Sequence, residues 1–203
     1  MSQNLLFNNT DYQKDDVLRG RINSFLQDSF DLPESDYYSR LDVTNLLKLK
    51  SALSDIHNSL TMQLTFGFLK WAAQTLSIKA EEIEEIRQVI NGTKPNTNGY
   101  DIKCDAFVAE VKCNIPVNGG QKYGAAQRVG IVKDIKALLE GKTKDPIVHP
   151  AFKFMVFLDL AEVREANEHL KKSTKQFSES FQFLQHNETP SNPDVVYGVY
   201  IKI

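Results

Sequence analysis

The stretch Gly99-Tyr100-Asp101-Ile102-Lys103-Cys104-Asp105-Ala106-Phe107-Val108-Ala109-Glu110-Val111-Lys112-Cys113 decides how this chain is read. Successive side chains of a strand point to opposite sides. With Asp105-Ala106 as a two-residue loop, Asp101, Lys103, Asp105, Val108, Glu110 and Lys112 share one face of a hairpin. Ile102, Cys104, Phe107, Ala109, Val111 and Cys113 form a wholly apolar second face. The register pairs Cys104 with Phe107, Ile102 with Ala109 and Asp101 with Glu110, which sets two carboxylates side by side.

Like charges opposed on a sheet repel, at a cost of up to about 1 kcal/mol, and a hard divalent cation relieves that repulsion. Magnesium suits such oxygen ligands because it binds through one or two carboxylates and keeps waters that a phosphate can replace. Lys112 lies two residues beyond Glu110 on the same face, placed to hold an attacking water or to offset charge growing on phosphorus. The alternative is a half-buried hairpin whose charged face meets water, with Glu110 and Lys112 as solvated neighbours.

Downstream, Asn118-Gly119-Gly120 reads as a loop, followed by a helix with Val129, Val132, Ile135 and Leu139 on one face and Gly141 at its stop. Phe152 to Leu158 is the apolar run of a fully covered central strand, expected to lie parallel to the hairpin. Ala161 to Leu184 reads as helix, with Phe177, Phe181 and Leu184 at helical spacing, and Val195 to Ile203 as a closing strand. The first half is helical, over Asp42 to Ser54 and Ile56 to Leu76, with Leu60, Leu64, Phe68, Trp71 and Leu76 facing a sheet. Ser77 and the acids Glu81, Glu82, Glu84 and Glu85 fit a helix start, while Ile86 to Ile90 fits a strand equally well.

An Asp at a strand start, a hairpin, then Glu-x-Lys on the next strand resembles the PD-(D/E)XK nuclease superfamily, and most of all the type II restriction endonucleases. Asp101, Glu110 and Lys112 match the three positions, Val111 is the intervening residue, and Tyr100 stands where the family often has Pro. The resemblance covers roughly the second half of the chain. It implies an α/β, restriction-endonuclease-like mixed β-sheet, an antiparallel hairpin plus parallel strands, flanked by helices. It also implies a Mg2+-dependent DNA endonuclease, with Mn2+ as a substitute ion, double-stranded DNA as substrate and a homodimer as the working form. Asp101, Glu110 and the main-chain carbonyl of Val111 would hold the metal, and Lys112 would position or activate water. The family often adds an upstream acid, for which Gln63 and Glu85 are candidates beside the plainer reading of both as solvated helix residues. Gln121, Lys122, Gln127 and Arg128 are candidate DNA contacts, or surface residues kept for solubility. Other readings of the same scaffold are a catalytically silent module binding nucleic acid or protein, and a DNA repair or mobile-element nuclease.

Charge agrees with a polyanion partner. Residues 1–85 carry 8 Lys and Arg against 13 Asp and Glu, residues 86–145 carry 10 against 6, and residues 146–203 carry 6 against 7, so the stretch holding the motif alone is net positive. The total of -2 argues against avid non-specific binding. At 203 residues and 41% hydrophobic the chain fits one domain over 1–203, with 1–76 a mainly helical N-terminal part and 77–203 the catalytic core. Neither a basic-then-apolar leader nor a membrane-length apolar run is seen, so a cytoplasmic protein is expected, and the glycosylation patterns at Asn8, Asn91 and Asn187 read as chance. Cys104 and Cys113 fall on the apolar face as small core residues. His57, His149, His169 and His186 show no metal-ligand spacing, and no P-loop or dinucleotide fingerprint occurs, which disfavours zinc, NTPase and nicotinamide chemistry.

Overall fold

The computed structural model describes residues 13–92, 99–116, 121–147, 151–173, 175, 179–185 and 187–203. The Asn118-Gly119-Gly120 loop, Phe177, His149 and His186 lie outside these residues. The chain forms two compact units, one up to His57 and one from Asn58 onward.

The first unit is helical. It contains α1 (Gln13–Phe30), a 3₁₀ turn at Tyr38–Arg40, and the first turns of α2 (Val43–Thr75). Asn23 ties the 3₁₀ turn to α1, donating to Asp36 Oδ1 (3.0 Å) and accepting from the Tyr38 amide (2.9 Å).

The second unit carries the sheet. It contains the rest of α2, α3 (Ala80–Gly92), β1 (Ile102–Lys103), β2 (Phe107–Lys112), α4 (Ala125–Glu140), β3 (Phe152–Leu158), α5 (Ala161–Ser173), β4 (Phe181–Phe183) and β5 (Val196–Ile201). The strand order is β1-β2-β3-β5-β4, with β1 antiparallel to β2 and every other pair parallel. The architecture is therefore α/β with a mixed five-stranded sheet, and both faces are covered. Phe107, Ala109, Val111, Phe154, Val156, Tyr197 and Val199 pack with Leu64, Phe68, Leu69 and Ala72 of α2 and Ile86 of α3. Val108, Met155, Phe157 and Val196 pack on the other side with Ile131, Ile135 and Leu138 of α4 and Val163, Ala166 and Leu170 of α5.

The hairpin register is the expected one. Ile102 pairs with Ala109 and Lys103 with Val108, and the Cys104 amide donates to the Phe107 carbonyl (2.9 Å). Phe107, Ala109 and Val111 face one core and Val108 the other, so the two-face parity holds. The solvated-face alternative does not hold, because β2 is buried on both sides from Phe107 to Val111. β3 lies parallel to β2, and Gly141, at φ 83°, ends α4 as expected.

Three expectations are corrected and one open choice is settled. The two N-terminal helical segments are one helix, α2, since no Pro or Gly interrupts the chain between Asp42 and Thr65. Ile83, Ile86 and Ile90 meet the core at helical intervals, so the segment open to two readings is helix α3. On α4 the expected Val132, Ile135 and Leu139 do meet the core, which also takes Ile131 and Leu138, but Val129 is 64% exposed and lies outside it. The helix after β3 ends at Ser173, and Phe181–Phe183 is a strand, its two phenylalanines pointing to the α4/α5 side at the period of two that strands show.

Gly198 of β5 lies against Phe183, where an added Cβ would come within 2.5 Å of the ring, whereas nothing lies within 4 Å of a Cβ at Gly130 of α4. Gly198→Ala is expected to lower unfolding free energy by about 1–3 kcal/mol through overpacking. Gly130→Ala is expected to raise it by about 0.5–1 kcal/mol through helix propensity. Urea unfolding of the two variants checks both signs.

Candidate active site

Asp101 sits one residue ahead of the β1 ladder and reaches it through its side chain. Its Oδ2 accepts the Val111 amide hydrogen at 2.7 Å. The β1 ladder covers only Ile102 and Lys103, so beyond it no ladder partner is seen on that edge among the described residues, and the Asp101 carboxylate takes the Val111 N–H. In extended backbone a residue's N–H and C=O point to the same side, so the Val111 carbonyl is turned toward the Asp101 edge as well.

Glu110 and Lys112 alternate with Val111 and face α4. Glu110 is 5% exposed. Its Oε1 accepts from Lys142 Nζ at 2.5 Å, and its Oε2 lies 3.8 Å from Lys112 Nζ. Lys112 is held in turn by Asp134 of α4, Nζ to Oδ2, at 2.6 Å. Asp134 shares the helical face of Ile131, Ile135 and Leu138, which explains why it reaches β2.

Neither Asp134 nor Lys142 was singled out by the sequence reading. For Asp134 a signal existed: it stands three residues from Ile131 and four from Leu138, and a carboxylate on a buried stripe needs a cationic partner. The expected stripe of Val129, Val132, Ile135 and Leu139 runs beside Asp134 without including it. For Lys142 there was no signal, because its position depends on the turn after α4. Gly141 reverses the chain, and the Lys142 amide donates to Tyr100 Oη at 3.1 Å. The Tyr100 hydroxyl donates to the Ala137 carbonyl at 3.1 Å. Lys103 donates to Asp145 and, at 2.8 Å, to the Pro146 carbonyl, which ties the same turn to β1. Tyr100 thus anchors the turn that delivers Lys142.

Burial, then the charge of Asp101, pushes the Glu110 carboxyl up to about 7, against the pull of Lys142 and Lys112. The Asp101 charge acting on Glu110 is the repulsion expected of two neighbouring acids. For Lys112, burial works to lower the pKa, but the hydrogen bond and charge of Asp134, with the charges of Glu110 and Asp101, outweigh it and hold the ammonium above the usual lysine range.

Asp101 is exposed and, with Glu82, Glu85, Tyr100 and Lys103, lines a groove of about 980 Å3 between α3 and β1. Glu85 therefore borders the same groove as Asp101, while Gln63 is exposed on α2. Gln127 caps α4, accepting from the Gly124 amide (3.1 Å) and donating to the Ile115 carbonyl (2.9 Å). Gln121, Lys122 and Arg128 are exposed around that helix start. Cys104 and Cys113 are free thiols in or against the α2/α3 core.

Among the described residues, no three His, Cys, Asp or Glu side chains converge as a ready ligand group. A cation here would have the Asp101 and Glu110 carboxylates and the Val111 carbonyl to draw on, a set that fits magnesium's preference for few protein ligands and retained waters. Among the described residues, no helix is long and apolar enough to cross a membrane.

Compared with protein-family models, curated proteins and solved structures, the chain matches none. The electrostatics of the site give a prediction that needs no relative. Glu110 titrates near 7 when folded against an ordinary value of 4.5, so its favourable contribution is complete below about 4.5 and is lost as pH rises through 7. In chelator-treated protein, the stability of wild type relative to Glu110→Gln is expected to fall by about 1–3 kcal/mol between pH 4.5 and pH 8. Parallel pH profiles in denaturant melts would contradict this.

Proposed function

We propose that this chain is a magnesium-dependent DNA endonuclease with a restriction-endonuclease-like fold of the PD-(D/E)XK type, working as a site-specific type II restriction enzyme on double-stranded DNA. The observation that carries the reading is the Asp101 carboxylate bound to the amide of Val111, the residue between Glu110 and Lys112. That bond ties Asp101 to the strand that carries Glu110 and Lys112, which supports a shared site for the three. The element order, an antiparallel hairpin joined to parallel strands with helices on both faces, supports the same reading.

Asp101, Glu110 and the Val111 carbonyl would hold the ion. When bound, magnesium would polarise the phosphoryl oxygen and stabilise the leaving oxygen, or a manganese ion would do so in its place. The remaining work falls to the chain. Lys112, kept protonated by Asp134, donates rather than accepts, so it orients the attacking water and offsets negative charge on phosphorus instead of removing a proton. Asp134 is a positioning residue, fixing the Lys112 ammonium on the Glu110 side of α4. Lys122 and Arg128, exposed beside the α4 start within the net-positive stretch, would meet backbone phosphates. A homodimer would match a palindromic site through its two-fold axis.

Digestion of mixed-sequence DNA with Mg2+ or Mn2+, followed by sequencing of the ends, tests this. Discrete fragments are expected, with Glu110→Ala and Lys112→Ala each slowing cleavage by at least about a hundredfold while circular dichroism stays unchanged. Equal cutting by wild type and both variants would overturn the assignment. Gel retardation without cuts would make the chain a binding module, and ragged, structure-dependent cuts would make it a repair or mobile-element nuclease.

A further inference from the structure

We propose that Lys142 is the built-in counter-cation of this site, holding Glu110 while no divalent ion is bound and lowering the affinity with which such an ion enters; the inference rests on the cation-binding reading of Asp101 and Glu110.

Lys142 is placed by the fold rather than by the motif. It lies 32 residues from Glu110 in sequence, yet its Nζ is 2.5 Å from Glu110 Oε1. The same ammonium donates to the Gly99 carbonyl and sits 4.5 Å from the centre of the Tyr100 ring. A carboxylate, a carbonyl oxygen and an aromatic face are three groups that attract a cation. The backbone under the side chain is fixed too, through the Lys142 amide on Tyr100 Oη and the Tyr100 hydroxyl on the Ala137 carbonyl. The seat is therefore built into the turn, and chance collapse of a long surface lysine does not account for it.

Lys112 is bonded to Asp134 at 2.6 Å and stands 3.8 Å from Glu110, so Lys142 is the ammonium hydrogen-bonded to the Glu110 carboxylate. A dication using the Glu110 carboxylate meets that ammonium in one of two ways. Either Lys142 would give up its bond to the carboxylate, or it would keep that bond and repel the incoming charge. Both routes weaken ion binding relative to a chain with a neutral residue at 142, so the sign of the effect does not depend on which one operates. In return, the empty site does not leave two acids facing each other uncompensated. Lys142 would thereby set the divalent concentration at which the site loads.

Calorimetric titration of Mn2+ into the full chain tests this without reference to cleavage. Wild type, Lys142→Met, Lys142→Arg and Glu110→Gln are compared, with folding checked by circular dichroism, and Lys142→Gln carries the same expectation as Lys142→Met should the latter unfold. Lys142→Met is expected to bind Mn2+ about tenfold more tightly than wild type, because a charge-assisted hydrogen bond no longer competes. Lys142→Arg is expected to stay near the wild-type affinity, and Glu110→Gln to lose the binding. If Lys142→Met binds no more tightly than wild type while Glu110→Gln still abolishes uptake, the role of Lys142 is overturned and the cation site stands. Mn2+ uptake that ignores Glu110→Gln, or no uptake at all, overturns the cation site and this inference together.

Discussion

A carboxylate almost sealed from water is costly unless other charges and donors answer it. Glu110 is such a group, and the local structure is arranged around meeting its demand. Lys142 takes one oxygen, Lys112 stands near the other, and Asp134 balances Lys112. The result is a line of alternating charge, Lys142, Glu110, Lys112, Asp134, that connects β2 to α4 and to the turn that follows it. As a means of stabilising a fold this is inefficient, since apolar filling of the same space does as well or better. Buried, mutually perturbed charges beside an exposed acid are instead the arrangement that reactive sites use.

The rest of the sheet exists in a form that makes this line possible. Phe107, Ala109 and Val111 fix one face of β2 against α2 and α3, and the strand's period of two then forces Glu110 and Lys112 to the other. β1 is short, so the Val111 amide is left for Asp101 rather than for a main-chain carbonyl. Val108 and Met155, deeper on the α4 side, anchor that helix by its Ile131, Ile135 and Leu138 stripe and so carry Asp134 into range. Short β1, strand parity and helix phase are separate constraints, and the site needs all three.

Much of this was legible in the sequence where the deciding signal is local. The hairpin could be read because a two-residue loop and strict alternation fix its register, and β3 because a strand covered on both sides needs an unbroken apolar run. Gly141 marked a helix end by the left-handed backbone it allows. What escaped was set by tertiary context. Phe181 and Leu184 are three apart, which fits a helix on paper, but Phe181 and Phe183 are what the sheet uses. Asp134 was missed because an acid beside the stripe of Val132, Ile135 and Leu139 reads as a surface residue until its partner Lys112 is placed. Lys142 could not be found from spacing, because its contact with Glu110 depends on where Tyr100, Ala137 and Asp145 place a turn.

On the proposed function, Asp101 and Glu110 jointly seat a divalent ion at the end of the hairpin. Anomalous diffraction from crystals soaked in Mn2+ addresses it most directly. A peak is expected about 2–2.2 Å from oxygens of both Asp101 and Glu110, with the Val111 carbonyl as a third protein neighbour. A peak confined to the Glu82 and Glu85 side of the groove, or none near Glu110, would contradict it.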